Sequence, residues 1–363
     1  MTPHTSPRRP RPVHGGIVPV HCAIVPPHIL KRLAESDNPA FAAAAARTIA
    51  VDQELRTARA AAPGAEAGPD SPAPGKPHRT VYDARHGTEL PGVRVREEGG
   101  AAIDDNTANR AYAGLGATFD FFLKAYGRDS IDGAGMPLLA SVHFDEKYDN
   151  AFWNGEQMVF GDGDGELFLD FTLPVDVIGH ELAHGVTQHT ANLAYFGQSG
   201  ALNESVSDVF GSLVKQYALG QTADQADWLI GAGLLGPAVD RAVALRSMKE
   251  PGTAYDDDVL GKDPQPATMD DYVRTSSDNG GVHINSGIPN HAFYLLATEL
   301  GGNAWERAGQ IWYDVLTAGT LSEEARFTEF ATATATAARA RYGDAAELAA
   351  VLKAWSLVGV RAS

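Results

Sequence analysis

From Thr80 to about Thr172 the chain runs in short stretches of β-branched and aromatic residues, "TVYDA", "GVRVRE", "LLASVHF" and "QMVFGDGDGELFLDF", punctuated by Gly and Asp turns. One long amphipathic pattern, "NTANRAYAGLGATFDFFLKAYG", interrupts them and predicts a helix. After Val175 the apolar spacing becomes helical and largely stays so, through "SVSDVFGSLVKQYA", "IPNHAFYLLATELGG", "AWERAGQIWYDVL", "FTEFATATATAARARYG" and "DAAELAAVLKAWSLVG". The pattern predicts an α+β protein: a β-rich lobe over 76–190, then a mainly helical lobe over 191–363.

Residues 1–75 read differently. A Pro/Arg-rich leader precedes an apolar "CAIVPPHIL", and "AFAAAAARTIAVDQELRTARAAA" favours helix by its Ala, Leu, Glu and Arg content. "PGAEAGPDSPAPGKP" then reads as a linker open to proteolytic nicking.

Composition narrows the function. A formal net charge of -17 excludes the basic footprint of a nucleic-acid binder, and no apolar run reaches the ~18 residues of a membrane span. Prolines break "GIVPVHCAIVPPHIL" where a signal peptide needs an unbroken apolar region, so no classical signal peptide is expected. Cys22 is the sole cysteine, which rules out an internal disulfide and a Cys-based zinc cluster. Any metal must rest on His and carboxylates.

The stretch "VIGHELAHGVTQH" offers such ligands. On a helix four residues turn about 400° and rise about 6 Å, so His180 and His184 leave one face a turn apart, spaced to share an ion. Glu181 lies beside that ion, where a carboxylate can take a proton from a zinc-activated water. An ordinary helix with two satisfied histidines has the same pattern, so a third ligand decides. In "GALNESVSDVFGSLV", Glu204 offers a carboxylate, and Asp208 can fix the tautomer of a zinc histidine; Asn203 flanks them.

With "HELAH", "GALNESVSD", "DNAFWNGEQMVFGDGDG", "LRSM" and "DNGGVHINSGIPNHAFYLL" in order, the sequence from Thr80 onward resembles the thermolysin family of zinc metalloendopeptidases. The resemblance implies a two-lobed zincin fold with the zinc helix between the lobes. It implies that His180, His184 and Glu204 bind one Zn2+ and that Glu181 is the general base. It makes Tyr195 and His283 the oxyanion donors, with Asp278 orienting His283. Asn150, Ala151 and Trp153 match the edge that holds an extended peptide, and Arg246 the arginine that grips a substrate carbonyl. Phe168, Phe171, Val177, Ile230 and Leu245 align with the specificity pocket; their apolar character predicts cleavage on the amino side of bulky hydrophobic residues, although each could equally be a core residue.

The chain also departs from that family. At the double calcium site Asp176 and Asp227 remain, but Lys215, Leu229 and Ala232 replace other ligands. We expect no double calcium site and a Lys215 salt bridge instead. "DGDGELFLDFTL" lacks the Glu of a calcium loop at its twelfth position, Leu173, and predicts a hairpin turn. "CAIVPPHIL", with Pro26 and Pro27, resembles the motif of the short propeptides in the protealysin-like branch. Residues 1–75 are thus expected to be a propeptide and intramolecular inhibitor. Cys22 either gives its thiolate to zinc or packs as a small apolar residue. The expected partners are protein and peptide substrates, with neither nucleic acid nor membrane, and the chain is expected to be a monomer. Export without a classical signal peptide is the expectation, with a cytoplasmic site as the alternative. A non-catalytic zinc-stabilised peptide binder, and a zinc hydrolase of non-peptide substrates, remain the competing functions.

Overall fold

The computed structural model describes residues 22–61 and 74–362. In chain order the elements are β1 (Cys22–Ala23), α1 (Pro27–Ala34), α2 (Pro39–Ala61), β2 (Arg79–Asp83), β3 (Val93–Glu97), α3 (Asn106–Tyr126), β4 (Leu138–Val142), β5 (Ala151–Trp153) and β6 (Met158–Phe160). Then come α4 (Val175–Gln188), α5 (Gly197–Leu219), β7 (Leu229–Ile230), β8 (Arg246–Ser247), β9 (Asp256–Asp257), β10 (Gly261–Lys262), α6 (Asp278–Asn285), α7 (Gly287–Leu300), α8 (Ala308–Thr317), α9 (Phe327–Tyr342) and α10 (Ala346–Leu357).

A six-stranded mixed sheet in the order β1-β5-β6-β4-β2-β3 forms the first lobe. Strands β2, β4 and β6 run parallel, whereas β3, β5 and β1 pair antiparallel to their neighbours. Helix α3 starts where the Asp105 carboxylate accepts from the Ala108 N–H and stops at Gly127, whose φ of 66° turns the chain out of the helix. Its stripe of Ala108, Ala111, Leu115, Phe119 and Phe122 is buried, as the sequence spacing requires.

Helices α5 and α7–α10 build the second lobe around Trp312 and Trp355, whose rings stack 5.9 Å apart. Between the lobes runs α4, buried on every side through nearly its whole length.

One expectation needs correction. The "DGDGELFLDFTL" segment turns at Gly163 and Gly165, but no hairpin forms, because Phe168 bridges to Leu235 and not back to β6. Its Asp164 carboxylate accepts from the N–H groups of Glu166, Leu167 and Phe168, holding an irregular turn. Within the lobe read as mainly helical, residues 229–262 add two small ribbons, β7–β8 and β9–β10. The linker falls mainly outside the described residues.

Candidate active site

Helix α4 supplies His180, Glu181 and His184; α5 supplies Asn203, Glu204 and Asp208. The two helices meet at glycines. A Cβ on Gly211 would lie 2.5 Å from the Asp176 carbonyl oxygen and 3.0 Å from the His180 nitrogen, so only glycine allows this approach. It brings the Glu204 carboxylate within 3.7 Å of His180 Nε2 and 3.6 Å of His184 Nε2.

Both imidazoles are oriented through their other nitrogen. His180 Nδ1 is 2.8 Å from Asp208 Oδ1, and His184 Nδ1 is 2.8 Å from Asn203 Oδ1. Donation from Nδ1 leaves the Nε2 lone pairs, 3.0 Å apart, facing each other and Glu204. Two imidazole nitrogens and a carboxylate oxygen on a buried face fit a divalent zinc ion with one position left open. Burial lowers His184 to about 4, which keeps it neutral and able to ligate. Burial opposes ionisation of Glu204, yet the surrounding histidines His283, His184 and His180 outweigh it and hold the carboxyl at about 2.

Glu181 accepts a 2.9 Å hydrogen bond from the Trp153 N–H through Oε2, while its buried Oε1 has no hydrogen-bond partner among the described residues. Burial, reinforced by Glu204, pushes its pKa well above the usual carboxylate range. Such an atom suits a group that exchanges protons with a reactant. Trp153, expected on the substrate edge, thus spends its backbone donor on this carboxylate.

His283 is carried by a loop of left-handed residues, Asp278 through Gly281, that opens α6. Asp278 clamps it twice, at Nδ1 (2.7 Å) and at its backbone N–H (2.9 Å). Burial works against the imidazolium, but Glu204 and Asp278 together raise the pKa. Its Nε2 lies 3.2 Å from the Tyr195 hydroxyl, which donates a short hydrogen bond to Glu204. Tyr195 and His283 therefore converge on one point above the ligand cluster.

Arg246, fully buried, makes a two-pronged pair with Asp208, both bonds 2.8 Å, and Asn290 donates to the same carboxylate at 2.8 Å. Its remaining Nη1 donates to the carbonyl of Ile24 at 3.1 Å. Strand β1 lies antiparallel along β5, with Cys22 opposite Trp153 and Ala23 opposite Phe152. The Ile24 N–H donates to the Ala151 carbonyl (3.1 Å), and the Val25 N–H to Asn150 Oδ1 (2.9 Å). The peptide edge is thus filled by the chain's own N-terminal segment.

Phe168, Phe171, Val177, Ile230 and Leu245 are all buried, in the same apolar core that takes up Ile24 and Val25. Pro26 and Pro27 open α1, Pro27 in the first helical position where a missing N–H costs nothing. The Cys22 side chain lies outside the described residues. Sequence reasoning missed Asn290, His28 and Asp52. His28 Nε2 is 2.8 Å from the Tyr255 hydroxyl. Asp52, on α2, accepts from Tyr148 and from Asn150 Nδ2 (3.3 Å). Asn290 lies within the block "DNGGVHINSGIPNHAFYLL" and His28 within "CAIVPPHIL", yet neither was given a role there; Asp52 lies in a helical stretch with no motif to mark it.

Comparison with known proteins agrees with this geometry. Residues 73–188 match the family model "Thermolysin metallopeptidase, catalytic domain", and residues 191–360 match "Thermolysin metallopeptidase, alpha-helical domain". The chain is 50% identical over 340 residues to an extracellular metalloprotease of Pectobacterium carotovorum subsp. carotovorum, covering 93% of this chain and 96% of that protein. It is 45% identical to Protease PrtS of Photorhabdus sp., covering 93% and 92%. The solved precursor of protealysin, a metalloproteinase from Serratia proteamaculans, superposes with a TM-score of 0.86 at 51% identity, covering 93% of this chain and 99% of that one. The fold and site define a metallopeptidase of the zinc-dependent type. The chain belongs to the thermolysin family of metallopeptidases, with the two-lobed α+β fold expected from its sequence.

Proposed function

We propose that this chain is the latent precursor of a neutral endopeptidase that uses one zinc ion and cleaves on the amino side of bulky hydrophobic residues. The observation that carries the reading is β1: an extended segment hydrogen-bonded to Ala151 and Asn150, its carbonyl held by Arg246, beside an unpartnered Glu181 oxygen. A substrate bound along β5 would use the same donors and acceptors.

His180, His184 and Glu204 would hold the zinc, which when bound supplies Lewis acidity and lowers the pKa of water. Glu181 takes the proton of the attacking water and delivers it to the departing amine. Tyr195 and His283 donate hydrogen bonds to the oxygen on which negative charge develops, and Asp278 keeps His283 aimed and protonated. Arg246 positions the substrate carbonyl, with Asp208 holding the guanidinium. Phe168, Phe171, Val177, Ile230 and Leu245 supply the apolar wall for the side chain after the scissile bond.

Residues 1–75 act as propeptide and intramolecular inhibitor, removed by cleavage in the linker. Lys215, paired with Asp176 and Asp227, supports a fold without the family's double calcium site. The name of the Pectobacterium relative, an extracellular metalloprotease, favours action outside the cell, and the chain is proposed to act there as a monomer. No helix among the described residues is long and apolar enough to cross a membrane.

The test is Glu181→Gln. The variant is expected to keep its zinc, lose casein hydrolysis by at least about a hundredfold, and stay full length where wild type shortens. Full activity in the variant, or a wild type that binds zinc and cleaves nothing, refutes the reading.

A further inference from the structure

Strands β2, β4 and β6 are adjacent and parallel, so the segments that follow them emerge along one edge of the sheet. Each brings a side chain able to ligate a metal there: His86 three residues after β2, His143 directly after β4, Asp162 two residues after β6. The carboxyl ends of parallel strands are where open sheets commonly place ligands.

The three are held in register by backbone. The His86 N–H donates to the His143 carbonyl at 2.8 Å, and the Asp145 N–H to the Gly87 carbonyl at 3.0 Å. His143 Nδ1 lies 2.9 Å from both oxygens of Asp162, and His86 Nδ1 lies 3.7 Å from its Oδ2. In the catalytic cluster of the same structure, the closest approaches among the ligand atoms are 3.0, 3.6 and 3.7 Å. In the second cluster two approaches, 2.9 and 3.7 Å, match these in size, and all the ligand atoms lie within 4.8 Å of one another. It also has the orienting partner that metal histidines need: Asp105, the cap of α3, is 3.1 Å from His143 Nε2. Donation from Nε2 to Asp105 leaves the Nδ1 lone pair for an ion.

We propose that His86, His143 and Asp162 form a second divalent-cation site, separate from the catalytic one and suited first to zinc. Two imidazoles and one carboxylate are borderline ligands that favour zinc over calcium or magnesium. His86 is more than half exposed, which gives an ion a way in and leaves coordination positions for water. The site also touches latency: Asp145, two residues past His143, is the carboxylate that Arg47 of α2 grips.

The experiment is zinc stoichiometry by equilibrium dialysis and elemental analysis on the full chain carrying Glu181→Gln, which prevents self-cleavage. About two ions per chain are expected at low micromolar free zinc and pH 8, about one after adding His86→Ala, about one after adding His184→Ala instead, and none with both. The melting temperature of the metal-free His86→Ala chain checks that folding is intact. A chain that holds one ion, all of it lost with His184→Ala, overturns the proposal, as does a second ion that persists in His86→Ala.

Discussion

Lys215 shows how one residue rewrites a site. Its ammonium reaches Asp176 (2.9 Å), Asp227 (2.8 Å) and the Leu229 carbonyl (2.8 Å). Asp176 is fully buried and its pKa is raised, since burial outweighs the attraction of Lys215. Removing the cation strands that carboxylate, whereas the half-exposed Asp227 loses little. Lys215→Met is expected to cost about 3–5 kcal/mol, read from urea unfolding of the Glu181→Gln chain, while millimolar calcium should leave the parent midpoint unmoved. A parent stabilised by calcium would show that the ammonium has not displaced the ion. This pair was legible from the sequence because two carboxylates and one lysine stand at matching motif positions. The bond from the Trp153 N–H to Glu181 was not, since a backbone donor leaves no mark in side-chain identity.

At the scale of elements, the catalytic geometry depends on how closely α4 and α5 pass. Gly211 meets backbone, the Asp176 carbonyl and His180, which cannot swing aside. Gly114 on α3 meets the side chain of Ile178, Cδ1 nearest, and a side chain can change rotamer. Gly211→Ala should therefore destabilise by about 1–3 kcal/mol and, by moving Glu204 away from the histidines, weaken zinc binding by about tenfold or more. Gly114→Ala should leave zinc affinity unchanged; chelator competition on the Glu181→Gln background separates the two. Equal zinc affinity in the Gly211 variant and the parent would mean that α5 can shift without carrying its ligand along. Long helices such as α3 and α5 were readable because many residues repeat one spacing. The ribbons β7–β8 and β9–β10 have two residues per strand, too few for any period. The missing hairpin after β6 reflects a tertiary partner, Leu235, that local turn chemistry cannot announce.

At the scale of the molecule, β5 becomes an edge strand once β1 leaves, so under the proposed function latency and substrate binding compete for one surface. The contacts that hold the segment include β1 on β5, Arg47 and Asp52 of α2 on Asp145 and Tyr148, and Arg32 and His28 of α1 on Val259 and Tyr255. The His28 and Arg47 contacts respond differently to acid. Burial first, then repulsion from His283 and Arg246 only partly offset by Asp278, lowers docked His28 to about 4, while its Nε2 lies 2.8 Å from the Tyr255 hydroxyl. In a released segment it would titrate near ~6.5. Between those values the released form binds a proton that the docked form cannot, so docking is fully supported above about pH 6.5 and weakens as pH falls toward about 4. Asp145 behaves otherwise: burial opposes but Arg47 prevails, placing its pKa below the usual value, and that clamp persists through the whole window. Hydrogen exchange on the full Glu181→Gln chain should thus show protection of the α1 amides, corrected for intrinsic rates, falling by up to about tenfold per pH unit below 6.5. His28→Gln should flatten that slope without altering the α2 amides near Arg47. An undiminished slope in His28→Gln would remove His28 from the release of the segment and leave acid sensitivity to the carboxylates.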